Sequence, residues 1–114
     1  MPTRLRPSRA LRVLLLLIVV ISAVFAATAL AATRTVKVQD SFFSAKSVSV
    51  SRGTTVTWRW TGALYHNVKV RSGPVRFGSR TQLKGTYSHR FTARGTYKLY
   101  CSLHPGMNMT VVVR

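Results

Sequence analysis

The chain has 114 residues, which is enough for one domain. Its 18 Lys and Arg residues stand against a single acidic residue, Asp40, and the formal net charge is +17. Because 46% of the residues are hydrophobic, the composition excludes a disordered basic tail, and we expect the charge to cover a folded domain.

Residues 1–31 are predicted to form an export signal. Four arginines precede an uncharged apolar run from Val13 to Ala27, and Ala29-Leu30-Ala31 fits a small-residue cleavage site. The alternative is an uncleaved membrane anchor over residues 13–32, because the uncharged run is long enough to span a bilayer. In both cases residues 32–114 are expected outside the cytoplasm, in the periplasm or the extracellular space.

After Ala32 the sequence alternates hydrophobic and polar residues, which is the pattern of half-buried β-strands. Short Gly-, Ser- or Pro-containing turns separate seven such runs, and this arrangement predicts an all-β sandwich. One of Phe42 and Phe43 is expected to cap the core, and residues 73–83 are expected to form a long surface loop. The residues predicted to face inward are Val36, Val38, Val48, Val50, Val56, Trp58, Trp60, His66, Val68, Val70, Tyr87, His89, Phe91, Tyr97, Leu99, Cys101, Met109, Val111 and Val113.

The segment from Cys101 to Met109 concentrates the side chains that can bind a metal. It holds the only cysteine, together with His104, Met107 and Met109. Thiolate and thioether ligands suit Cu(I), and a blue-copper site combines two imidazoles and one thiolate with a weak axial thioether. A second histidine must then come from elsewhere, and His66 is the candidate. The alternatives are a buried structural cysteine and a histidine hydrogen-bonded at a turn.

The pattern Cys-x-x-His-Pro-x-Met before a valine-rich final strand, with His-Asn-Val upstream, resembles the cupredoxins, in particular amicyanin, pseudoazurin and plastocyanin. The resemblance runs from about residue 33 to residue 114. It implies a cupredoxin-like Greek-key β-sandwich of seven to eight strands. It also implies one copper ion, held by His66, Cys101, His104 and an axial methionine.

The resemblance leaves two candidates for the axial methionine. Amicyanin-like spacing selects Met107, whereas plastocyanin-like and pseudoazurin-like spacing selects Met109. The sequence aligns with the amicyanin-like form without a gap, which favours Met107. The resemblance further implies that Asn67 and Ser102 tie the two ligand segments together.

The expected function is that of an exported type 1 copper protein that shuttles single electrons. Four protein ligands leave no open coordination position for a substrate, so we do not expect an enzyme. By resemblance, electrons pass through the exposed edge of His104, inside an apolar surface of Leu103, Pro105 and Gly106. The alternatives are a copper storage or delivery protein without a redox partner and a zinc-binding or metal-free module.

The positive charge predicts a negatively charged partner. An acidic redox protein is favoured, and an anionic membrane or cell-wall surface is the other possibility. Nucleic acid is not expected, because the export signal and the β pattern both argue against it. We expect a monomer. We expect structural, core positions for His89, for the two tryptophans, and for Tyr97 and Tyr100.

Overall fold

The structure is a computed structural model that describes residues 3, 4, 8, 9 and 32–114. Apart from those isolated positions, the predicted export signal over residues 1–31 and the alternative anchor over residues 13–32 lie outside the described residues. In the described part of the chain, no helix has the length and hydropathy that crossing a membrane requires.

Eight β-strands form two sheets, and residues 32–114 contain no helix. The strands are β1 (Thr33–Gln39), β2 (Phe42–Phe43), β3 (Ser47–Val50), β4 (Thr55–Trp60), β5 (Lys69–Ser72), β6 (Thr86–Arg90), β7 (Gly95–Tyr100) and β8 (Asn108–Val113). The sheet orders are β2-β1-β4-β6 and β3-β8-β7-β5. Every connection from β2 through β7 passes to the other sheet, and the predicted all-β sandwich is confirmed.

The core lies between the two sheets and is built from alternate residues of the strands. The residues predicted to face inward are buried, with the exceptions of Tyr87 and His89, which are half-buried. Both exceptions belong to β6, and β6 is an edge strand. Trp58 is fully buried, stacks on Tyr87 and donates a hydrogen bond from its indole nitrogen to Met109 Sδ at 3.3 Å.

The prediction for Tyr100 is wrong. This residue is half-buried, and the guanidinium carbon of Arg71 lies 4.1 Å from the centroid of its ring. Its neighbours Leu99 and Cys101 are both buried. Because successive side chains of a strand point to opposite faces, Tyr100 is turned outward.

Two further expectations are confirmed. Phe43 is buried whereas Phe42 is exposed, so one of the pair closes the core. Residues 73–83 lie within the connection from β5 to β6 and are mostly exposed, although Phe77 packs against the core and Ser79 is buried. This loop meets the segment before β5 through an isolated bridge between His66 and Gln82.

The direction of the strands determines which loops meet. β1 and β4 are parallel neighbours, so the turn after β1 and the segment after β4 begin at the same end of their sheet. β7 and β8 are antiparallel, and their turn spans residues 101–107. The hydrogen bonds described below show that these three connections converge at one end of the sandwich.

Candidate metal centre

Cys101 follows directly after β7 and starts a tight turn. Its backbone N–H donates to the carbonyl of Met107 at 3.0 Å, and the N–H of Met107 donates to the carbonyl of His104 at 3.2 Å. The two backbone bonds fold the turn back on itself, so that His104 Nδ1 lies 3.6 Å from Cys101 Sγ. Cys101 is buried, whereas His104 is half-buried at the surface.

His66 lies in the segment between β4 and β5 and is fully buried. Its backbone exchanges two hydrogen bonds with Gln82, at 3.1 and 3.0 Å. The indole nitrogen of Trp60 also donates to the carbonyl of His66 at 3.2 Å. These three bonds hold the backbone in place, and the ring points toward the turn after β7.

Three donor atoms meet where the two segments come together. His66 Nδ1 lies 3.1 Å from His104 Nδ1 and 3.9 Å from Cys101 Sγ. All three donor atoms are within 4.8 Å of one another. Metal bonds of about 2.0 Å to nitrogen and 2.3 Å to sulfur allow donors at these separations to share one ion. One thiolate and two imidazoles are the donor set of a trigonal copper site.

Asn67 and Ser102 join the segment of His66 to the turn of Cys101. The amide nitrogen of Asn67 donates to Ser102 Oγ at 2.8 Å, and the backbone N–H of Ser102 donates to Asn67 Oδ1 at 2.9 Å. The backbone N–H of Asn67 lies 3.5 Å from Cys101 Sγ, in position to donate to it. Asn67 also donates to Thr81 Oγ1 at 2.9 Å, a contact that the sequence did not indicate.

Asp40 is a further participant that sequence reasoning missed. Its carboxylate accepts a hydrogen bond from His66 Nε2 at 3.0 Å and from the backbone N–H groups of Ala63 and Leu64. The bond from His66, followed by the two backbone bonds, lowers the pKa of Asp40 from 3.8 to about 2. With its proton on Nε2, the His66 ring keeps the lone pair of Nδ1 free toward Cys101. The sequence carried no local signal for this pair, because 26 positions separate the two residues.

Residues 31–114 match the sequence profile of the copper-binding plastocyanin/azurin family. The chain belongs to this family, the cupredoxins. The predicted family is thereby confirmed, and the His–Cys–His cluster agrees with copper as the cofactor. The protein is a type 1 copper protein of the electron-transfer class.

Individual relatives are amicyanins. Amicyanin-alpha of Methylorubrum extorquens is 40% identical over 85 residues, which cover 68% of this chain and 69% of the relative. Amicyanin of Paracoccus denitrificans is 36% identical over 78 residues, which cover 62% of this chain and 57% of the relative. A solved reduced Cu(I) form of an amicyanin variant superposes with a TM-score of 0.65 at 31% identity, covering 78% of this chain and 89% of that chain.

The two methionines of this cupredoxin lie in different surroundings. Met107 belongs to the turn, where its backbone bonds to both Cys101 and His104, and its side chain is buried. Met109 belongs to β8 and faces the core, where its sulfur accepts the hydrogen bond from Trp58. The sulfur of Met109 is therefore already engaged with a core side chain.

The third histidine of the cupredoxin domain has a structural environment. The ring of His89 stacks on Phe77 with centroids 3.7 Å apart and meets Phe91 edge-on. Burial among these rings lowers the pKa of His89 below its usual 6.5. This packing agrees with the expectation that His89 has a structural place.

The surface around the turn combines an apolar rim with positive charge. Leu103 and Leu64 are exposed large hydrophobic residues, one directly before His104 and the other two residues before His66 in the sequence. A groove of about 590 Å³, which we call the basic groove, is lined by three cationic residues and reaches Gly106 in the turn. These cationic residues are Lys46, Arg71 and Lys98.

Proposed function

We propose that this cupredoxin is an exported electron shuttle in which His66 Nδ1, Cys101 Sγ and His104 Nδ1 hold copper in a trigonal set, with Met107 as the axial ligand. The observation that carries the proposal is the convergence of the three donor atoms within 4.8 Å. Bound copper would supply one-electron exchange between Cu(I) and Cu(II). Because the four protein ligands would fill the coordination positions of the copper, a substrate could not bind to the metal, and we propose no enzymatic activity.

The choice of Met107 is supported by what each methionine already contacts. The backbone of Met107 is hydrogen-bonded to both Cys101 and His104. The side chain of Met107 therefore leaves the backbone close to these two proposed ligands. Met109, in contrast, has its sulfur 3.3 Å from the indole nitrogen of Trp58. Using Met109 as the ligand would leave a fully buried indole N–H without its partner, which carries a free-energy cost.

The residues around the donors hold them in place before metal enters. Asn67 and Ser102 fix the spacing between the two ligand segments, and Asp40 fixes the His66 ring. A donor set held in this way changes little between the two oxidation states. Such rigidity favours fast exchange of an electron, because little of the protein has to rearrange.

Electrons are proposed to enter and leave through the His104 edge, inside the surface of Leu103, Pro105 and Gly106. His104 is half-buried while those three neighbours are exposed, so the ring is the part of the ligand set closest to a docked partner. The apolar rim suits the small, short-lived contact that is typical of redox partners.

The proposed partner is an acidic redox protein. The basic groove opens beside the turn at Gly106, and Lys46, Arg71 and Lys98 would face carboxylates of a partner docked over His104. Complementary charge of this kind steers encounter and raises the association rate. Anionic membrane or cell-wall surfaces would meet the same charge. We propose that the protein acts as a monomer in the periplasm or outside the cell, as the predicted export signal supports.

The visible spectrum of the purified protein with Cu(II) tests the proposal. A strong copper–thiolate band that reductant bleaches, and that is absent from Cys101→Ser, is expected. Voltammetry of the same sample is expected to show a reversible one-electron wave. Loosely bound copper without the band would instead favour a storage or delivery protein, and a colourless protein that retains zinc would favour a structural module.

A further inference from the structure

The only acidic residue of the chain lies at the metal centre. Asp40 is alone among 18 basic residues, and solubility gives no reason for placing it beside a buried histidine. Its carboxylate accepts from His66 Nε2 at 3.0 Å, on the side of the ring opposite to the Nδ1 that faces Cys101. Within the described residues, the one carboxylate side chain therefore contacts one of the proposed metal ligands.

The carboxylate is held independently of the histidine. The backbone N–H groups of Ala63 and Leu64 donate to it at 3.0 Å each, so it is fixed even when the His66 ring moves. Gly62 makes room for it. A Cβ at Gly62 would contact Asp40 Oδ1 directly and would lie 2.7 Å from its Cγ, closer than such atoms approach. The segment after β4 thus forms a binding site for the carboxylate, which comes from the turn after β1.

A carboxylate in this place acts on a metal through the histidine. An imidazole that donates its other N–H to a carboxylate has a fixed tautomer and orientation, and it is a more basic ligand. The negative charge also interacts more strongly with a dipositive ion than with a monopositive one. This effect requires proximity, because the interaction falls with distance and exposed charges further away are screened by salt.

We propose that Asp40 is a positioning residue that locks the His66 ring toward the copper site and lowers the reduction potential by stabilising Cu(II) over Cu(I). The inference rests on the proposed function, in which His66 is a ligand.

Asp40→Asn is the sharpest test, because it removes the charge and keeps an oxygen that can accept the same N–H groups. The equilibrium between Cu(II) and Cu(I) is expected to shift about tenfold toward Cu(I), a rise in potential of about 59 mV. Gly62→Ala should raise the potential in the same direction, because it displaces the carboxylate without changing the charge. Ser51→Lys is the matched control. It adds one positive charge in the turn after β3, away from the site, and should leave the potential unchanged.

A second readout separates positioning from charge. In the Cu(I) protein, NMR should show a slowly exchanging His66 Nε2 proton in the wild type and in Asp40→Asn, and rapid exchange in Asp40→Ala. Asp40→Glu should recover part of the wild-type potential. If Asp40→Asn and Gly62→Ala both keep the wild-type potential while the copper–thiolate band persists, the inference is wrong and the proposed function stands. Absence of that band from the wild type overturns both.

Discussion

Asn67 and Ser102 exchange two hydrogen bonds between the segment that carries His66 and the turn that carries Cys101, at 2.8 and 2.9 Å. The Asn67 side chain is buried and Ser102 is exposed. Neither residue contributes a donor atom to the cluster. Their pairing joins two parts of the chain that are 35 positions apart, and it sets the distance over which the cluster forms.

This pairing predicts unequal effects of two alanine substitutions. Asn67→Ala removes three hydrogen bonds at once, two to Ser102 and one to Thr81, and because each is worth about 1 kcal/mol net, the free energy of unfolding should fall by about 1–3 kcal/mol. Ser102→Ala keeps the hydrogen bond from the Ser102 backbone N–H to Asn67 Oδ1, so it should lower the free energy of unfolding by less. Denaturant unfolding of the copper-free protein measures both, with Ser49→Ala on an exposed strand position as the control. Equal losses for the two variants would contradict this assignment.

The axial ligand is tested by a pair of leucine substitutions. Met107→Leu is expected to change the visible spectrum and raise the reduction potential, because it removes the weak thioether ligand. Met109→Leu should leave both unchanged, although it should lower the free energy of unfolding by about 1–3 kcal/mol, because the buried Trp58 indole N–H loses its acceptor. Visible spectroscopy and voltammetry of the two copper-loaded variants decide between them. The reverse outcome would assign the axial position to Met109.

The basic groove should govern association with an acidic redox protein. Lys46→Ala/Lys98→Ala is expected to slow the second-order electron-transfer rate several-fold at low ionic strength, with little effect at high salt, where exposed charges are screened. Arg52→Ala/Arg94→Ala removes the same charge from turns after β3 and β6 and is the matched control. Stopped-flow kinetics across a salt series measures both. A similar loss in the two double variants would show that net charge acts without any preferred docking face.

His89 should make stability depend on pH. Burial among Phe77 and Phe91 lowers its pKa in the folded state below 6.5, so the unfolded chain takes up the proton first. The free energy of unfolding should therefore be constant above about pH 7.5 and should fall as the pH decreases through 6.5. Denaturant unfolding of the copper-free protein at pH 7.5 and 5.5 measures this loss. His89→Phe, which retains a ring against Phe77, should lose a smaller part of its stability, and an unchanged pH dependence would argue against the burial of His89 as its cause.

Much of the fold could be predicted because strand alternation is a local property. Each inward-facing residue from Val36 to Val113 follows from a period of two, and one buried face leaves the register little freedom. The prediction for Tyr100 was wrong because it departed from this alternation, in which the neighbours Leu99 and Cys101 take the inward positions. The partial exposure of Tyr87 and His89 depends on β6 being an edge strand, and strand order is a non-local property.

The sequence alone determined the donor types of the metal centre. Cys101, His104 and Met107 lie within one short turn, where covalent spacing limits how far apart they can be, and His66 was selected through its match to the family pattern. Tertiary structure decided the rest. Parallel pairing of β1 with β4 brings Asp40 to His66, and the packing of Trp58 engages the sulfur of Met109. These contacts join residues 26 and 51 positions apart, and only the closing of the two sheets places such residues next to each other.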